Sequence, residues 1–512
     1  MKSHITDLLF ENSRVHDIFI CMLRKAIIFV IVVAFFLLFP VPIEAQSTVV
    51  EPVQITVHSE SPGAKIPTYF LGLSFSSKYL ADKQKFYNPD NKDLASLLNN
   101  LGPGVIRISG DDQIWVDGPT SPDERSASAG TIINPYKVDG LFALAKEAGW
   151  RVIYGLDFLT YYVSGKPTDM DMAVDEAAYI AAKEGSTLLA FEIGNEPTSA
   201  RYRTSDSSLD FPSLIDKYTT YLADIRARAP NAQFAGPSEF QSFPYYPLFA
   251  DRYFSGFLED AKIKGNIAIA TIHMYPLSNN DAERPPEQKL TIENMLSRYT
   301  DTRTEEYIQN YAARAKAEGV PLRFDEINSA SIGGRNGVTD TYAGGLWGVN
   351  LLFTMAKYGV SGVNFSGGGC GGYSAIGICG NEFHTFGLYY CMLFFHKAAN
   401  GRFVPVDITT EKNLTSYATL ADDGSLRVTI INKEMDLNNS VEFNINLSKP
   451  YALVSTLTLS APTLEDTGDN ITLVQVDANS ENSNPPVDKN YTISVRNGSA
   501  VVVTFANTTT NP

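Results

Sequence analysis

Between residues 69 and 367 the chain repeats one pattern: a short apolar run with the texture of a β-strand, then a longer segment with helical periodicity. The strand-like runs are YFLGLSFS (69–76), GVIRISG (104–110), RVIYGLDF (151–158), LLAFEIGN (188–195), AQFAGPSE (232–239), IAIATIHMY (267–275), LRFDEINS (322–329) and GVSGVNFSG (359–367). Between them lie helical stretches such as KVDGLFALAKEAG, DEAAYIAAKEG, FPSLIDKYTTYLADIRARA and TEEYIQNYAARAKAEG, several of them closing on glycine as a helix end prefers. Strands alternating with helices imply a parallel sheet, and eight such units favour a closed (β/α)8 TIM barrel in the α/β class. The competing architecture is a doubly wound open sheet. It would usually carry a glycine-rich phosphate turn after its first strand, and Leu73-Ser-Phe-Ser-Ser is not one.

After His396 the texture changes. LRVTIINK, VEFNINLS, ITLVQV, YTISVRN and SAVVVTFA alternate with a period of two, separated by Asn, Gly, Asp and Pro turns, which predicts a C-terminal antiparallel β-sandwich over 396–512. The barrel is expected over 46–395, with the early strand PVQITVHSE (52–60) able to join the sandwich instead. A chain of 512 residues can bury a core of this size, and 44% hydrophobic with 19% charged residues argues against wholesale disorder.

The amino terminus reads as a signal peptide over 1–45. Arg24 and Lys25 precede the apolar run Ala26 to Phe39, and the small residue Ala45 stands before Gln46. That run is short for a bilayer span, so secretion with no stable membrane insertion after cleavage is the expectation and a signal anchor the alternative. Met22 would start a signal peptide of ordinary length. Eight N-x-S/T sequons occur, seven of them after residue 400, which marks the C-terminal domain as a glycosylated surface; Asn364, inside a strand-like run, reads as unused. Cys370 and Cys379 close a short loop and can pair in an oxidising compartment, whereas Cys391 in LYYCMLFF reads as a buried small hydrophobe. No Cys/His spacing suggests a metal, and no cofactor is expected. A formal charge of −16 repels nucleic acid phosphates and anionic lipid, so neither is an expected partner.

Two of the apolar strands end in a carboxylate: Glu196 after the fourth and Glu326 after the seventh. In a barrel the C-terminal strand ends face one mouth, so these glutamates, 130 positions apart, would face a common cleft. Two carboxylates on one cavity suit glycosidic bond cleavage, one protonating the leaving oxygen and the other attacking the anomeric carbon. The Asn195 amide suits the sugar 2-hydroxyl, and Pro197 fixes the chain leaving the strand. A single strand-end glutamate is more often a salt-bridge partner or a helix N-cap neighbour; the pair is what carries the reading.

Asn195-Glu196-Pro197, His273-Met274-Tyr275-Pro276 and Glu326-Ile-Asn-Ser329 resemble the clan A glycoside hydrolases. More narrowly, EINSASIGGRNGVTDTYAGGLW (326–347), NFSGGG (364–369) and FGLYYCMLFF (386–395) resemble family 79, the β-glucuronidase and heparanase family, over most of the chain from about residue 50. The resemblance implies a retaining double displacement with Glu196 as acid/base and Glu326 as nucleophile. It implies that the Tyr275 hydroxyl bonds the nucleophile, and that a uronic acid is read by the glycine-rich turn Gly367 to Gly372 with Tyr373. A flexible loop with a packing tyrosine is the equal alternative for that turn. Asp111 can bond sugar hydroxyls or simply form its turn, and His273 can be a satisfied strand-end histidine. One departure stands out: where some members place an aromatic residue shortly after the nucleophile, this chain has Ser329-Ala330-Ser331. That leaves a methylated uronic acid or a neutral sugar open.

The implied activity is a secreted exo-β-glucuronidase acting on the glycans of polysaccharide or proteoglycan. A heparanase-like endo-β-glucuronidase is the second reading, although a cleft for a sulfated polyanion would want cations and the net charge weighs against it. A non-catalytic carbohydrate-binding cell-wall protein is the third, disfavoured because Asn195, Glu196, Tyr275 and Glu326 are all present.

Overall fold

The computed structural model of the chain describes residues 51–82, 87–110, 113–118, 131–158, 170–198, 210–242, 249–478 and 486–508. The segment 1–45 read as a signal peptide and Asp111 lie outside the described residues. Eight strands close into a barrel in chain order: β1 (Leu71–Ser76), β2 (Gly104–Ser109), β3 (Arg151–Leu156), β4 (Leu188–Ile193), β5 (Phe234–Ser242), β6 (Ile269–Tyr275), β7 (Leu322–Ile327) and β8 (Gly362–Ser366). Every pairing is parallel, and β8 meets β1 with Phe365 opposite Leu73 and Ser366 opposite Ser74. This is the barrel that the eight apolar runs predict. The runs are apolar because helices cover the outer face while the inner face is sealed, so a strand such as β2 is buried along its whole length.

Polar side chains start and stop the covering helices. Asn91, Asn134, Asp210 and Ser297 each accept from a backbone N–H in the first turn of the helix that follows. The helix Tyr342–Lys357 is the exception to amphipathic patterning, being buried from Tyr342 through Ala356. The helix Gly387–Ala398, barrel strand β8 and the C-terminal sheet all pack against it, so no face of it needs to be polar.

Inside the barrel, Val105, Ile153, Ala190 and Ala235 form a small apolar layer of their own. Other interior positions are polar. Arg323 donates from Nε to Asn364 Oδ1 at 2.5 Å, and Asn364 Nδ2 reaches the carbonyls of Leu73 and Val105 at 3.0 and 2.9 Å. Asn364 is fully buried, so in the folded protein its sequon is closed to a glycan.

The C-terminal region is a nine-stranded sheet folded into two layers. One long strand, Ser440–Ser460, serves both: Val441 to Asn446 pair with Val487–Arg496, and Tyr451 to Leu459 pair with Ser499–Asn507. Its register shifts between Asn446 and Tyr451, where Pro450 has no N–H to give to a ladder. Phe443 and Ile445 from one half meet Val428, Val503 and Phe505 in a single apolar core. The expectation of a purely antiparallel sandwich needs one correction. The strand Val53–Val57 joins this sheet, antiparallel to Val406–Ile408 but parallel to the long strand. A parallel pair needs a long crossover, and here the whole barrel is that connection. Cys370 and Cys379 are disulfide-bonded and Cys391 is buried. Among the described residues, no helix is long and apolar enough to cross a membrane.

Candidate active site

Two irregularities shape the mouth of the barrel. In β7 the pairing register shifts on both sides around Asp325 and Glu326. A regular strand would point these neighbours to opposite faces; the bulge lets both carboxylates reach one guanidinium. In β5 the register shifts between Pro237 and Glu239, and Ser238 sits in the left-handed region at φ 53. Its Oγ is thereby brought to Arg107, Asp325 and His273, at 2.6, 3.0 and 2.9 Å.

Arg107 of β2 is the hub, with no exposed side-chain surface. Its Nε donates to Glu192 Oε2 at 2.8 Å, one terminal nitrogen donates to Glu326 Oε2 at 2.8 Å, and the other donates to Asn195 Oδ1 at 2.7 Å. Asp325 lies 3.5 Å from Nε. Burial opposes the guanidinium charge, but Glu192, Asp325 and Glu326 together sustain it. Sequence reasoning did not single out Arg107, Glu192, Asp325 or Ser238. The available signal was an arginine in the middle of GVIRISG, where an apolar strand interior tolerates a cation only with buried partners.

His273 of β6 is fully buried and bridges the two glutamates. Its Nδ1 lies 2.9 Å from Glu196 Oε1 and 3.9 Å from Glu326 Oε1. Burial works against an imidazolium there, yet the charges of Glu326 and Asp325 outweigh it and hold the pKa well above the ordinary value. Desolvation likewise pushes Glu326 up, but His273, Arg107 and the Tyr275 phenol prevail, leaving its carboxyl below the usual range. The Tyr275 hydroxyl donates to Glu326 Oε1 at 2.7 Å. Burial moves Glu192 the other way, up to about 8, with the charge of Asp325 adding to the push against the pull of Arg107.

Glu196 follows β4 in a left-handed conformation, φ 46, that a non-glycine residue adopts only under constraint. Two features supply it. The Glu196 N–H donates to Ser238 O at 2.9 Å, and beneath it the buried Glu239 accepts from Thr198 N and Oγ1 at 3.1 and 2.5 Å, anchoring the chain just past Pro197. Burial pushes Glu239 up to about 8.

One oxygen of Glu196, one of Glu326 and a ring nitrogen of His273 lie within 4.8 Å of one another. Both glutamates keep 18% side-chain exposure, whereas Arg107, Glu192, Asp325 and His273 have none, so of these six titratable groups the two glutamates face the cleft. They stand where two lobes join. The larger lobe, about 810 Å³, runs past Asn195 and Ser109 to the glycine-rich turn with Gly372 and Tyr373. The smaller, about 430 Å³, runs past Tyr275 and Phe240 to Ser331 and Ile332, and Tyr373 lines both. The turn itself is not loose. Asn328 Nδ2 donates to the carbonyls of Ser366 and Tyr373 at 2.8 and 3.0 Å, the Cys370–Cys379 bond ties its outer end, and a side chain at Gly334 would come within 2.9 Å of the Tyr373 ring. The structure thus brings Asn195, Glu196, Tyr275, Glu326, Gly372 and Tyr373 to one cleft.

No protein-family model matches the chain, and no curated protein matches it in sequence. Solved structures do match in fold. A 4-O-α-L-rhamnosyl-β-D-glucuronidase from Fusarium oxysporum is 18% identical over 88% of this chain and 100% of its own, with a TM-score of 0.68. An arabinofuranosidase of family 51 from Xanthomonas axonopodis pv. citri is 14% identical over 89% and 99%, at 0.67. A family 44 xyloglucanase from Paenibacillus polymyxa is 12% identical over 89% and 100%, at 0.59. The chain shares with them the barrel fold and its trailing β-domain.

Proposed function

We propose that this protein is a retaining glycoside hydrolase and, more narrowly, a secreted exo-β-glucuronidase. The observation that carries the proposal is that one oxygen of Glu196 comes within 4.8 Å of one oxygen of Glu326. Retaining enzymes hold their carboxyl groups about 5–5.5 Å apart, and inverting ones about 6.5–9.5 Å, to admit a water.

In the first step an oxygen of Glu326, ionised by Arg107, His273 and Tyr275, forms a bond to the anomeric carbon. The glycosidic bond breaks, its electron pair passes to the leaving oxygen, and the Glu196 carboxyl gives that oxygen its proton. In the second step the Glu196 carboxylate takes a proton from water. The water oxygen bonds to the same carbon, and the ester to Glu326 breaks. The anomeric configuration is inverted twice and so retained. Asn195, its Oδ1 engaged by Arg107, presents its amide N–H₂ toward the sugar 2-hydroxyl.

The N–H groups of Gly367, Gly368 and Gly372 are given to Ser74 O, Ser374 Oγ and Asn336 Oδ1, so uronate recognition is assigned to the N–H groups between Gly369 and Gly371 and to the Tyr373 phenol, which can bind a carboxylate without a cation. The fold likeness to the rhamnosyl-glucuronidase supports this sugar, and the serine at position 331 is what tests it. Secretion is supported by the charged-then-apolar amino terminus and by the Cys370–Cys379 bond. The endo-acting reading draws on one feature, the continuation of the cleft on both sides of the glutamates.

Initial rates on 4-nitrophenyl β-D-glucuronide, β-D-glucoside and β-D-xyloside test the assignment. Preference for the glucuronide supports it. Equal rates, or preference for a neutral sugar, keep the two-glutamate chemistry and remove the uronic acid. Nuclear magnetic resonance of the first-formed sugar must show the β-anomer; an α-product would end the retaining mechanism.

A further inference from the structure

Ile332 has no evident reason to be an isoleucine. It is 66% exposed, more than any other large apolar side chain among the described residues, so it contributes almost nothing to the core. Its backbone sits at φ 61, a region that a β-branched residue enters only at a cost, and Gly333 and Gly334 follow at φ 74 and 70. Glycine would occupy position 332 without strain. A residue that costs the fold and gives it nothing calls for a use outside the fold.

The position supplies one. Ile332 lines the smaller lobe, which also holds Glu196 and Glu326. The same lobe is lined by an aromatic wall: Phe240 lies 6.0 Å from Tyr275, and Tyr275 stacks at 6.1 Å and 28° on Tyr373. Asn195, the amide assigned to the sugar 2-hydroxyl, lines only the larger lobe. On the glycosidase reading, on which this step rests, the glycone therefore occupies the larger lobe and the leaving group the smaller one.

We infer that Ile332 is a specificity-determining residue that holds a leaving group with a flat apolar face, an aryl aglycone, against the Phe240–Tyr275 wall. A sugar in the same place would set hydroxyls against Ile332 and Phe240, which offer them no hydrogen bond, whereas an aromatic ring loses water on both faces. Asn280 and Arg284, which also line this lobe, suit hydroxyl or acidic substituents on that ring.

The test uses Ile332→Gly and Ile332→Asn, both compatible with the left-handed backbone, with Phe240→Ala beside them. kcat/KM is measured on the 4-nitrophenyl and the methyl glycoside of whichever sugar the wild-type enzyme turns over, together with the melting temperature. Comparing each variant with wild type cancels the intrinsic difference between the two leaving groups. The expected result is an aryl-to-methyl ratio about tenfold lower in all three variants, mainly through KM. For the two Ile332 variants the melting temperature is held or raised, because strain is relieved. An unchanged ratio overturns the inference, as does an equal loss on both substrates with a lower melting temperature, which would make Ile332 structural. Failure of the underlying reading looks different: the wild-type enzyme would turn over neither glycoside.

Discussion

Two buried ion networks in this molecule are built on opposite plans. At the seam between barrel and sheet, Lys433 is bonded to Asp301, although burial and then the charge of Arg298 lower the lysine pKa to about 7. Everything around that pair is closed: Asn350 Nδ2 donates to Asp301 Oδ1 at 3.0 Å, and Asn350 Oδ1 accepts from Thr415 and Tyr417, both at 2.8 Å. At the barrel mouth a single guanidinium serves Glu192, Asp325 and Glu326, an imidazolium sits among them, and Asp325 Oδ1 has no hydrogen-bond partner. The first network is satisfied and fixes how two units meet. The second crowds three carboxyls and a histidine around one arginine, and they divide: Arg107, His273 and Tyr275 lower the pKa of Glu326, while burial pushes Glu192 up to about 8. On the proposed mechanism the second network moves charge and protons, whereas the first only holds its shape.

That contrast breaks most visibly at Glu326. Glu326→Gln is expected to lower kcat at least about 10³-fold while leaving the melting temperature near that of wild type, because the amide still fits between Tyr275 and Arg107. Arg107→Met should lose both activity and stability, since it strands three buried carboxyls at once. The pH profile carries the same signature. On the proposed mechanism Glu326 acts when ionised, and its pKa is lowered, so kcat/KM should fall only as pH drops below the ordinary glutamate range. An acid limb near neutrality would contradict the network as described.

Lys433→Met probes the balanced network and should do the reverse. Removing Lys433 leaves the part-buried Asp301 without its partner, so stability should fall, read as a lower denaturant midpoint, while kcat per folded molecule is unchanged. Adding Asp301→Leu should restore much of the loss, since an apolar pair leaves no stranded charge. If the double variant is as unstable as the single one, the seam depends on more than this pair.

The two networks also differ in how far the sequence discloses them. Glu196 and Glu326 are legible because each terminates an apolar strand whose place in an eightfold count sets the direction it faces. The strands themselves are legible because burial on both faces makes them continuous apolar runs. Arg107 is hidden for the converse reason: a cation inside a strand looks like a flaw until three carboxyls from β4 and β7 are known to converge on it. Lys433 and Asp301 are 132 positions apart in domains whose docking no local pattern specifies. The left-handed backbones at Glu196, Ser238 and Ile332 are set by the loops and bulges that hold them, and nothing in their side chains announces it. The parallel pairing of Val53–Val57 is hidden likewise, since alternation marks a strand without marking its partner.

A smaller effect is expected at the cleft wall. Tyr373→Phe removes one phenol from the proposed uronate site, and a hydrogen bond to a charged group is worth about 1.5–3 kcal/mol. kcat/KM on the glucuronide should therefore fall roughly tenfold or more, with much less change on a neutral glycoside. Equal losses on both would make Tyr373 a packing partner of Tyr275.

The finest comparison separates titration that belongs to the site from titration that belongs only to the fold. Glu176 lies behind the barrel wall, 1% exposed, accepting from the Tyr154 hydroxyl at 2.6 Å and from Gln113 Nε2 at 3.4 Å, and burial pushes its pKa up to about 8. Glu192 and Glu239 are raised to the same level. Each folded pKa stands above the unfolded value of about 4.3. Below that value both states are protonated and the stabilisation is complete. As pH climbs toward 8, the unfolded chain ionises while the folded carboxyl stays neutral, and stability drains away at up to about 1.4 kcal/mol per pH unit for each group. Glu326 and Asp325, whose pKa values are lowered, act in the opposite sense and withdraw their support as pH falls through their folded values. Stability should therefore peak on the acid side of neutrality. Glu176→Gln separates the contributions: the amide still accepts from Tyr154, and its N–H₂ can meet Gln113 Oε1, which has no partner. Its denaturation midpoint should vary less with pH between 5 and 8 than that of wild type, and its kcat/KM profile should be superimposable on wild type. A shifted rate profile would mean that Glu176 is coupled to the mouth of the barrel, and the division between the two kinds of network would have to be redrawn.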